Sequence, residues 1–383
     1  MILNGNYLTF FGVDMKFISI FILSLSLFYS STTYGSHLRN KSDSEALGIH
    51  KARMGEFTNQ FQKEIILPSA HPKALKNTSK PNAKIQDIMS KSDLLSVLFY
   101  DGNSITVNEL SSKKLKKSDK MYSMSIAKSY VGYLVGHAIC DGSIKSLSDP
   151  IDMYVPETTG TLYEGVSIQN MINMTAGDRD YYGGGSNTIA EYAVPILGGK
   201  KTIKSMLDAT SGVSHLKNTD FRYSNIVTDL VARAIHLTSP SGIKDYYHKK
   251  ISNPANYHSG MFYFKDKNGW GIHFAFLYAA REDYLKFAKL IVQDWRSNSC
   301  IGSYLRQLYA KRVPTRKITN GFNYQSYGGF FWMDKENLSF PHLSMSGHGG
   351  QRITINLKTG AVLSTHAIRE NFDYRRIERM FFN

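Results

Sequence analysis

The sequence predicts an α+β fold: an antiparallel sheet flanked by helices and built from both ends of the chain, with an all-helical lobe inserted between. Three observations carry this prediction. A hairpin pattern stands near residue 100, alternating strand patterns return after about residue 325, and the stretch between reads mainly as helices and loops. With 383 residues, 42% of them hydrophobic, the chain is long enough for one large core or two packed lobes and too apolar for a disordered protein.

Residues 1–35 are a separate chemical class. Met15-Lys16 precedes an apolar run from Phe17 to Tyr29 whose polar residues are all Ser, and small polar residues follow to Gly35. A positive start, a short apolar middle and a small-residue end read as a secretory signal peptide, so the mature protein is expected to be exported, periplasmic or extracellular. The run is short for a membrane span and no stop-transfer segment follows it, so no stable membrane insertion is expected after cleavage. Residues 36–90 form a basic N-terminal arm punctuated by Pro68, Pro72 and Pro81, with one helix expected near 44–64.

Two β-rich runs, Ser96–Tyr100 and Ser104–Val107, flank Asp101-Gly102 and predict a hairpin. From Ser125 to Cys140, Val131, Leu134, Val135 and Ala138 recur at helical spacing and Asp141-Gly142 supplies a stop. Gly132 and Gly136 sit one turn apart in this helix, which costs helix propensity unless a neighbour packs very close. The helix is therefore expected at the centre of the fold. Helical periodicity recurs near 166–173, 202–209, 225–237 and 282–294, interrupted by the loop Tyr181-Tyr182-Gly183-Gly184-Gly185. Strands are expected at 329–332, 352–357 and 361–364, and a closing helix at Tyr374–Phe382. This divides the chain into an α/β domain from 90–154 and 301–383 and a helical lobe from 155–300.

Lys+Arg 46 against Asp+Glu 31 gives a net charge of +15. The basic residues are scattered, the run Lys113–Lys117 is short, and no zinc-finger spacing or RNA-binding aromatic signature occurs, so nucleic acid is excluded as a partner. An anionic envelope surface stays open. Cys140 and Cys300 could form one bridge in an oxidising compartment, although Cys140 also reads as a core position. The twelve His are dispersed without a His-Glu-x-x-His pattern. The Gly198–Thr202 stretch lacks the first glycine of a phosphate loop, because position 194 is Val. No metal or other cofactor is expected.

The chemistry concentrates in three motifs. Ser-x-x-Lys occurs four times, but only Ser125-Ile126-Ala127-Lys128 opens a long apolar helix. Residues three apart share a helix face, so hydroxyl and ammonium can meet. A Ser at a helix start also lies beside free backbone N–H groups suited to an oxyanion. A buried Lys has a lowered pKa and can take the Ser proton near neutrality. Tyr223-Ser224-Asn225 is the second motif: Tyr223 alone among 24 tyrosines has Asn two residues later. A phenolate near a lysine can act as general base and later as acid, and Asn225 can hydrogen-bond the lysine or the acyl group. The third is Gly347-His348-Gly349-Gly350-Gln351, directly before a strand. Its glycines allow close backbone approach, Gln351 can offer a second oxyanion N–H, and His348 would stand beside the acyl group.

Together these motifs resemble the serine β-lactamase and penicillin-binding-protein superfamily, in which Ser-x-x-Lys, Tyr-x-Asn and Lys-Thr-Gly or His-x-Gly occur in that order. Tyr223 follows Ser125 by 98 residues and His348 follows Tyr223 by 125, which suits an inserted lobe. Ser123–Ser129, Asp141–Ile144, Ser148–Ile151 and Met171–Gly177 look like the class C branch. Within it, 6-aminohexanoate-dimer hydrolase and esterase-like members are nearest. The resemblance covers about residues 90–380 and implies a β-lactamase/transpeptidase-like fold and an exported serine hydrolase. Ser125 would be its nucleophile, with Lys128 and Tyr223 relaying protons, the Ser125 and Gln351 N–H groups as oxyanion hole, and Asn225, His348, Gly349 and Gly350 lining the substrate. In the nylon-hydrolase group a Tyr after Met-Thr-x-Gly assists amide cleavage, and Tyr181 or Tyr182 is near that place.

Lys358-Thr359-Gly360 spells the third motif literally but forms a turn between two alternating strands. At ~3.3 Å per strand residue it would lie roughly 30 Å from His348. With His in place of Lys, a substrate carboxylate is held poorly, and strand alternation is expected to point Arg352, the candidate substitute, away. The Glu-containing class A deacylation signature is absent, leaving Tyr223 and Lys128 to prepare the hydrolytic water. The resemblance therefore favours a small amide, ester or peptide-like substrate. Its rivals are a D-alanyl-D-alanine carboxypeptidase or β-lactamase and, in another class, a catalytically silent cell-wall-binding protein.

Overall fold

The computed structural model describes residues 61–111, 115–178, 192, 194–197, 199–213, 220–315 and 324–382. The expected signal peptide and most of the helix expected near 44–64 lie outside these residues. Within the described part of that helix, residues 62–64 belong to a strand.

The first half contains β1 (Gln62–Ile66), α1 (Ala83–Ser90), β2 (Leu94–Tyr100), β3 (Ile105–Leu110), β4 (Lys120–Tyr122) and α2 (Ile126–Cys140). Short helices α3 (Ile168–Ile172), α4 (Val194–Leu197) and α5 (Ile203–Asp208) lead to α6 (Ile226–Thr238) and α7 (Gly242–Tyr247). Then come β5 (Met261–Lys265), β6 (Gly271–Ile272), β7 (Tyr278–Ala280), α8 (Arg281–Arg296) and α9 (Cys300–Ala310). The chain closes with β8 (Val313–Pro314), β9 (Tyr324–Gly328), β10 (Phe331–Lys335), β11 (His342–Gly347), β12 (Gln351–Asn356), β13 (Val362–Ala367) and α10 (Tyr374–Phe382).

The larger sheet has eight strands in the order β3-β2-β13-β12-β11-β10-β9-β8, every neighbour antiparallel. The expected hairpin is β2–β3, and β2 pairs next with β13, joining the two ends of the chain as the sequence predicts. β2 is buried on both faces, its alternation interrupted near Leu95 where the pairing with β13 shifts register between His366 and Ala367. Leu94, Val97 and Phe99 pack with α1 and α10, where Phe99 stacks on Phe381 at 4.6 Å. Leu95 and Leu98 join the main core together with Leu285, Phe287 and Ile291 of α8.

The α+β class stands, with one departure. The expectation of helices and loops over 155–300 fails at 261–280, where β5, β6 and β7 join β1 and β4 in a second sheet, β1-β5-β7-β4 with β6 on β5. The insertion is therefore not all-helical, and the architecture has two sheets where the sequence reading had one. These strands are nearly continuous apolar runs buried on both faces, and such runs carry no alternation to mark them.

Helix α2 lies at the centre, with twelve of its fifteen residues buried. Its two glycines mark its closest contacts. A β-carbon on Gly132 would stand 2.0 Å from the Gly329 carbonyl oxygen, and one on Gly136 would stand 2.3 Å from the Tyr304 ring. Tyr304 also donates its hydroxyl to the Gly132 carbonyl at 2.7 Å. Cys140, at the end of α2, is disulfide-bonded to Cys300, the first residue of α9.

Candidate active site

Ser125 is the N-cap of α2, half-buried, and reached through Met124 at φ 43. A left-handed conformation at a non-glycine residue costs of order 1–3 kcal/mol and persists only where its surroundings fix it. Here they do: the Ser123 hydroxyl donates to Ala275 O at 2.9 Å and accepts from Leu277 N at 3.1 Å, while Ser123 N donates to Leu277 O at 2.8 Å. The Ser125 side chain makes no cap bond, so its hydroxyl is not committed to its own helix.

One turn on, Lys128 is fully buried and its Nζ lies 3.1 Å from Ser125 Oγ. Nζ also donates to Phe274 O at 2.6 Å and lies 4.9 Å from the Tyr223 ring centre. Burial lowers its pKa to about 7, with the Asp229 charge acting in the opposite direction. A neutral amine in this place can donate to Phe274 O and still turn its lone pair toward the Ser125 proton.

Tyr223 comes from the segment before α6. Arg222 N donates to Met174 O at 2.7 Å, and Ser224 Oγ donates at 2.6 Å to Asp178, which also accepts from Tyr163. The Tyr223 ring stacks on Trp332 of β10 at 5.7 Å and 16°. Burial pushes its phenol well above the ordinary value, and a hydrogen bond with Ser125 pulls it partway back. That bond joins the first two motifs. Asn225 caps α6, almost fully buried and without a side-chain cap bond.

His348, Gly349 and Gly350 form the turn between β11 and β12, with φ +81 at Gly349 and +92 at Gly350. The turn reaches the nucleophile segment: a β-carbon on Gly347 would stand 2.6 Å from Ser123 O and 2.9 Å from Met124 Cβ. His348 is exposed. Gln351 opens β12 opposite Gly347, and its side chain is folded away onto Ala367, donating to its O at 2.6 Å and accepting from its N at 3.2 Å. Its backbone is thus fixed across from Gly347, the residue that packs against Ser123 and Met124. Arg352 points elsewhere, donating to Ser346 Oγ and Glu370 Oε2. Lys358-Thr359-Gly360 closes the opposite end of β12, in the turn to β13. Tyr181 and Tyr182 lie outside the described residues.

Sequence reasoning missed Asp229. It lies on α6 one turn after Asn225, buried, and its Oδ1 accepts from His273 N at 2.7 Å and Phe274 N at 3.0 Å. Tyr192 donates to Oδ2 at 2.8 Å. Burial raises its pKa to about 7 against these hydrogen bonds and the Lys128 charge. Asp229 thereby holds the segment between β6 and β7 whose Phe274 carbonyl orients Lys128. Its signal was present in the sequence, as a lone acid inside the apolar run Ile226-Val227-Thr228-Asp229-Leu230. Phe274 acts through its backbone and left no signal. Among the described residues no three His, Cys, Asp or Glu side chains gather as a metal site.

Solved structures share the fold. A Bacillus anthracis protein named as a 6-aminohexanoate-dimer hydrolase superposes with TM-score 0.66 at 14% identity, over 85% of this chain and 91% of its own. A D-stereospecific amidohydrolase from Streptomyces sp. gives 0.58 at 15%, over 79% and 99%. A penicillin-binding protein from Bacillus halodurans gives 0.60 at 14%, over 79% and 99%. Residues 85–369 match the family described as Beta-lactamase, a span that takes in all three motifs, and the chain belongs to that family of serine hydrolases.

Proposed function

We propose that this protein is an exported serine hydrolase that cleaves a small amide or ester through an acyl intermediate on Ser125. The observation that carries the reading is the Lys128 amine at 3.1 Å from Ser125 Oγ, with a pKa brought near neutrality by burial. Lys128 takes the Ser125 proton as Oγ attacks the carbonyl carbon, and the oxyanion is held by the N–H groups of Ser125 and Gln351. Tyr223 passes a proton to the leaving amine or alcohol. Water, deprotonated by the same pair, then attacks the acyl carbon and releases the acid.

Small neutral amides and esters are favoured over β-lactams. The third motif carries His348 where a carboxylate-binding enzyme uses Lys, and Arg352 is engaged by Glu370 and Ser346.

Turnover of a short-chain p-nitrophenyl ester, a linear amide dimer and a chromogenic cephalosporin, by wild type and Ser125→Ala in parallel, tests the proposal. Ester or amide turnover confined to wild type supports it. Preferred turnover of the cephalosporin overturns the substrate assignment, and equal turnover by both proteins overturns Ser125 as nucleophile.

A further inference from the structure

A groove of about 430 Å³ opens beside Tyr100, at the end of the larger sheet away from the His348 turn. The strand register fixes this separation. Leu94 of β2 pairs with Ala367, the residue held by the Gln351 side chain, whereas Tyr100 pairs with Val362 at the other end. Five to six strand residues lie between, about 17–20 Å. The groove is therefore separate from the Ser125 site.

Its walls come from four parts of the chain: residues 73–76, Tyr100 and Asn103 at the β2–β3 turn, residues 254–256 and the face of α8 that carries Lys286, Lys289 and Gln293. Four lysines line it, Lys73, Lys76, Lys286 and Lys289, and no Asp or Glu does. Lys286 is already answered: its buried Nζ donates to Asn256 O at 2.9 Å and lies 3.6 Å from Asp283 and 3.9 Å from Glu282. The other three have no ion-pair partner among the described residues. Asp101, next to Tyr100, is occupied by its own turn, accepting at 2.8 Å from the N–H groups of Asn103 and Ser104.

Lys73 and Lys76 are exposed at the rim of the groove, and Lys289 stands in its wall. Lys289 is half-buried, and its pKa is lowered by burial and then by the charge of Lys73. Like charges held together at a concave wall focus a positive potential into it, and a bound anion relieves the repulsion. The Asn103 and Gln293 amides and the Tyr100 phenol add neutral donors to the lining. No arginine lines the groove, so no planar fork is offered; its lysines act as point charges, in which role lysine commonly binds phosphate. The volume is that of a small-molecule site.

We propose that this groove binds a small phosphate-bearing anion of two or more negative charges, held by Lys73, Lys76 and Lys289. Isothermal titration with pyrophosphate at fixed ionic strength tests it, using wild type, Ser125→Ala, the double variant Lys73→Gln/Lys289→Gln, and a charge-matched control, Lys204→Gln/Lys249→Gln, whose lysines are exposed and outside the groove. Saturable one-to-one binding is expected in wild type, Ser125→Ala and the control. The groove variant is expected to bind at least tenfold more weakly, with an unchanged melting temperature and unchanged ester turnover. Absence of saturable binding to wild type at millimolar pyrophosphate overturns the proposal, and so does an equal loss in the groove variant and the control. Because Ser125→Ala is expected to bind normally, this outcome is independent of whether Ser125 is a nucleophile.

Discussion

The amine of Lys128 lies closer to the carbonyl oxygen of Phe274, at 2.6 Å, than to the Ser125 hydroxyl, at 3.1 Å. The shorter contact orients the amine in either protonation state, because both forms can donate a hydrogen. The longer one changes role on deprotonation, from donor to acceptor. Phe274 N is in turn held by Asp229, so α6 sets the position of the base through the backbone of one residue.

That chain of contacts predicts an acid limb in the pH profile. Lys128 must be neutral to take a proton, and burial lowers its pKa to about 7. The rate constant kcat/KM on a p-nitrophenyl ester is expected to rise through pH 7 and to fall about tenfold per unit well below it. A flat profile from pH 5 to 8 would contradict the assignment of Lys128 as base.

Asp229→Asn keeps the shape of the side chain and removes its charge. The Asp229 charge raises the Lys128 pKa, so its loss is expected to move the acid limb to lower pH. Measuring the limb in both proteins separates this effect from a merely structural one, which would lower the rate without moving the profile.

Lys128→Met is expected to abolish turnover and stabilise the fold. The sign follows from linkage: the Lys128 pKa is depressed in the folded state, so between about 7 and 10.5 the unfolded chain binds more protons and stability rises with pH. Below about 7 the folded state bears the full cost of a buried cation. Removing it is expected to gain ~2 kcal/mol at pH 7, a Tm rise of roughly 5 °C, shrinking toward pH 10. Calorimetry at the two pH values checks both the gain and its trend.

Tyr223→Phe retains the ring that stacks on Trp332 and loses only the hydroxyl. A fall of ~10²–10⁴ in kcat is expected with little change in Tm. Equal losses in activity and stability would assign Tyr223 to packing.

Gly132→Ala should destabilise although alanine is the better helix former. Its methyl would stand 2.0 Å from a backbone oxygen that no rotamer change can move. The gain of up to about 1 kcal/mol in propensity is expected to be outweighed by ~1–3 kcal/mol of overpacking. Thermal denaturation reads the net sign.

Much of this was legible in the residues, and the reasons differ by element. The paired glycines of α2 announced close neighbours, and the backbone of Gly329 and the ring of Tyr304 are those neighbours. The Asp-Gly turn placed the β2–β3 hairpin because its chemistry is local. The second sheet was hidden because β5 and β7 are short, apolar but for Lys265, and buried on both faces, so neither a period nor a polar face set them apart from helix. The Ser125, Lys128 and Tyr223 cluster was readable from side chains. The part of the site made of backbone, the Phe274 carbonyl, was not.

The pairing of β2 with β13 has a consequence for synthesis. Leu98 and Ser364 are partners in the interior of the larger sheet, although 266 residues separate them. At roughly 5–20 residues per second the ribosome delivers β13 many seconds after β2, and the sheet cannot close before then. Until β13 has been made, a nascent chain must hold the apolar strand β2 with β3 alone beside it. A stop codon before Val362 removes an interior strand of the sheet and exposes the edges of β2 and β12, so the truncated product is expected to go to aggregation or proteolysis.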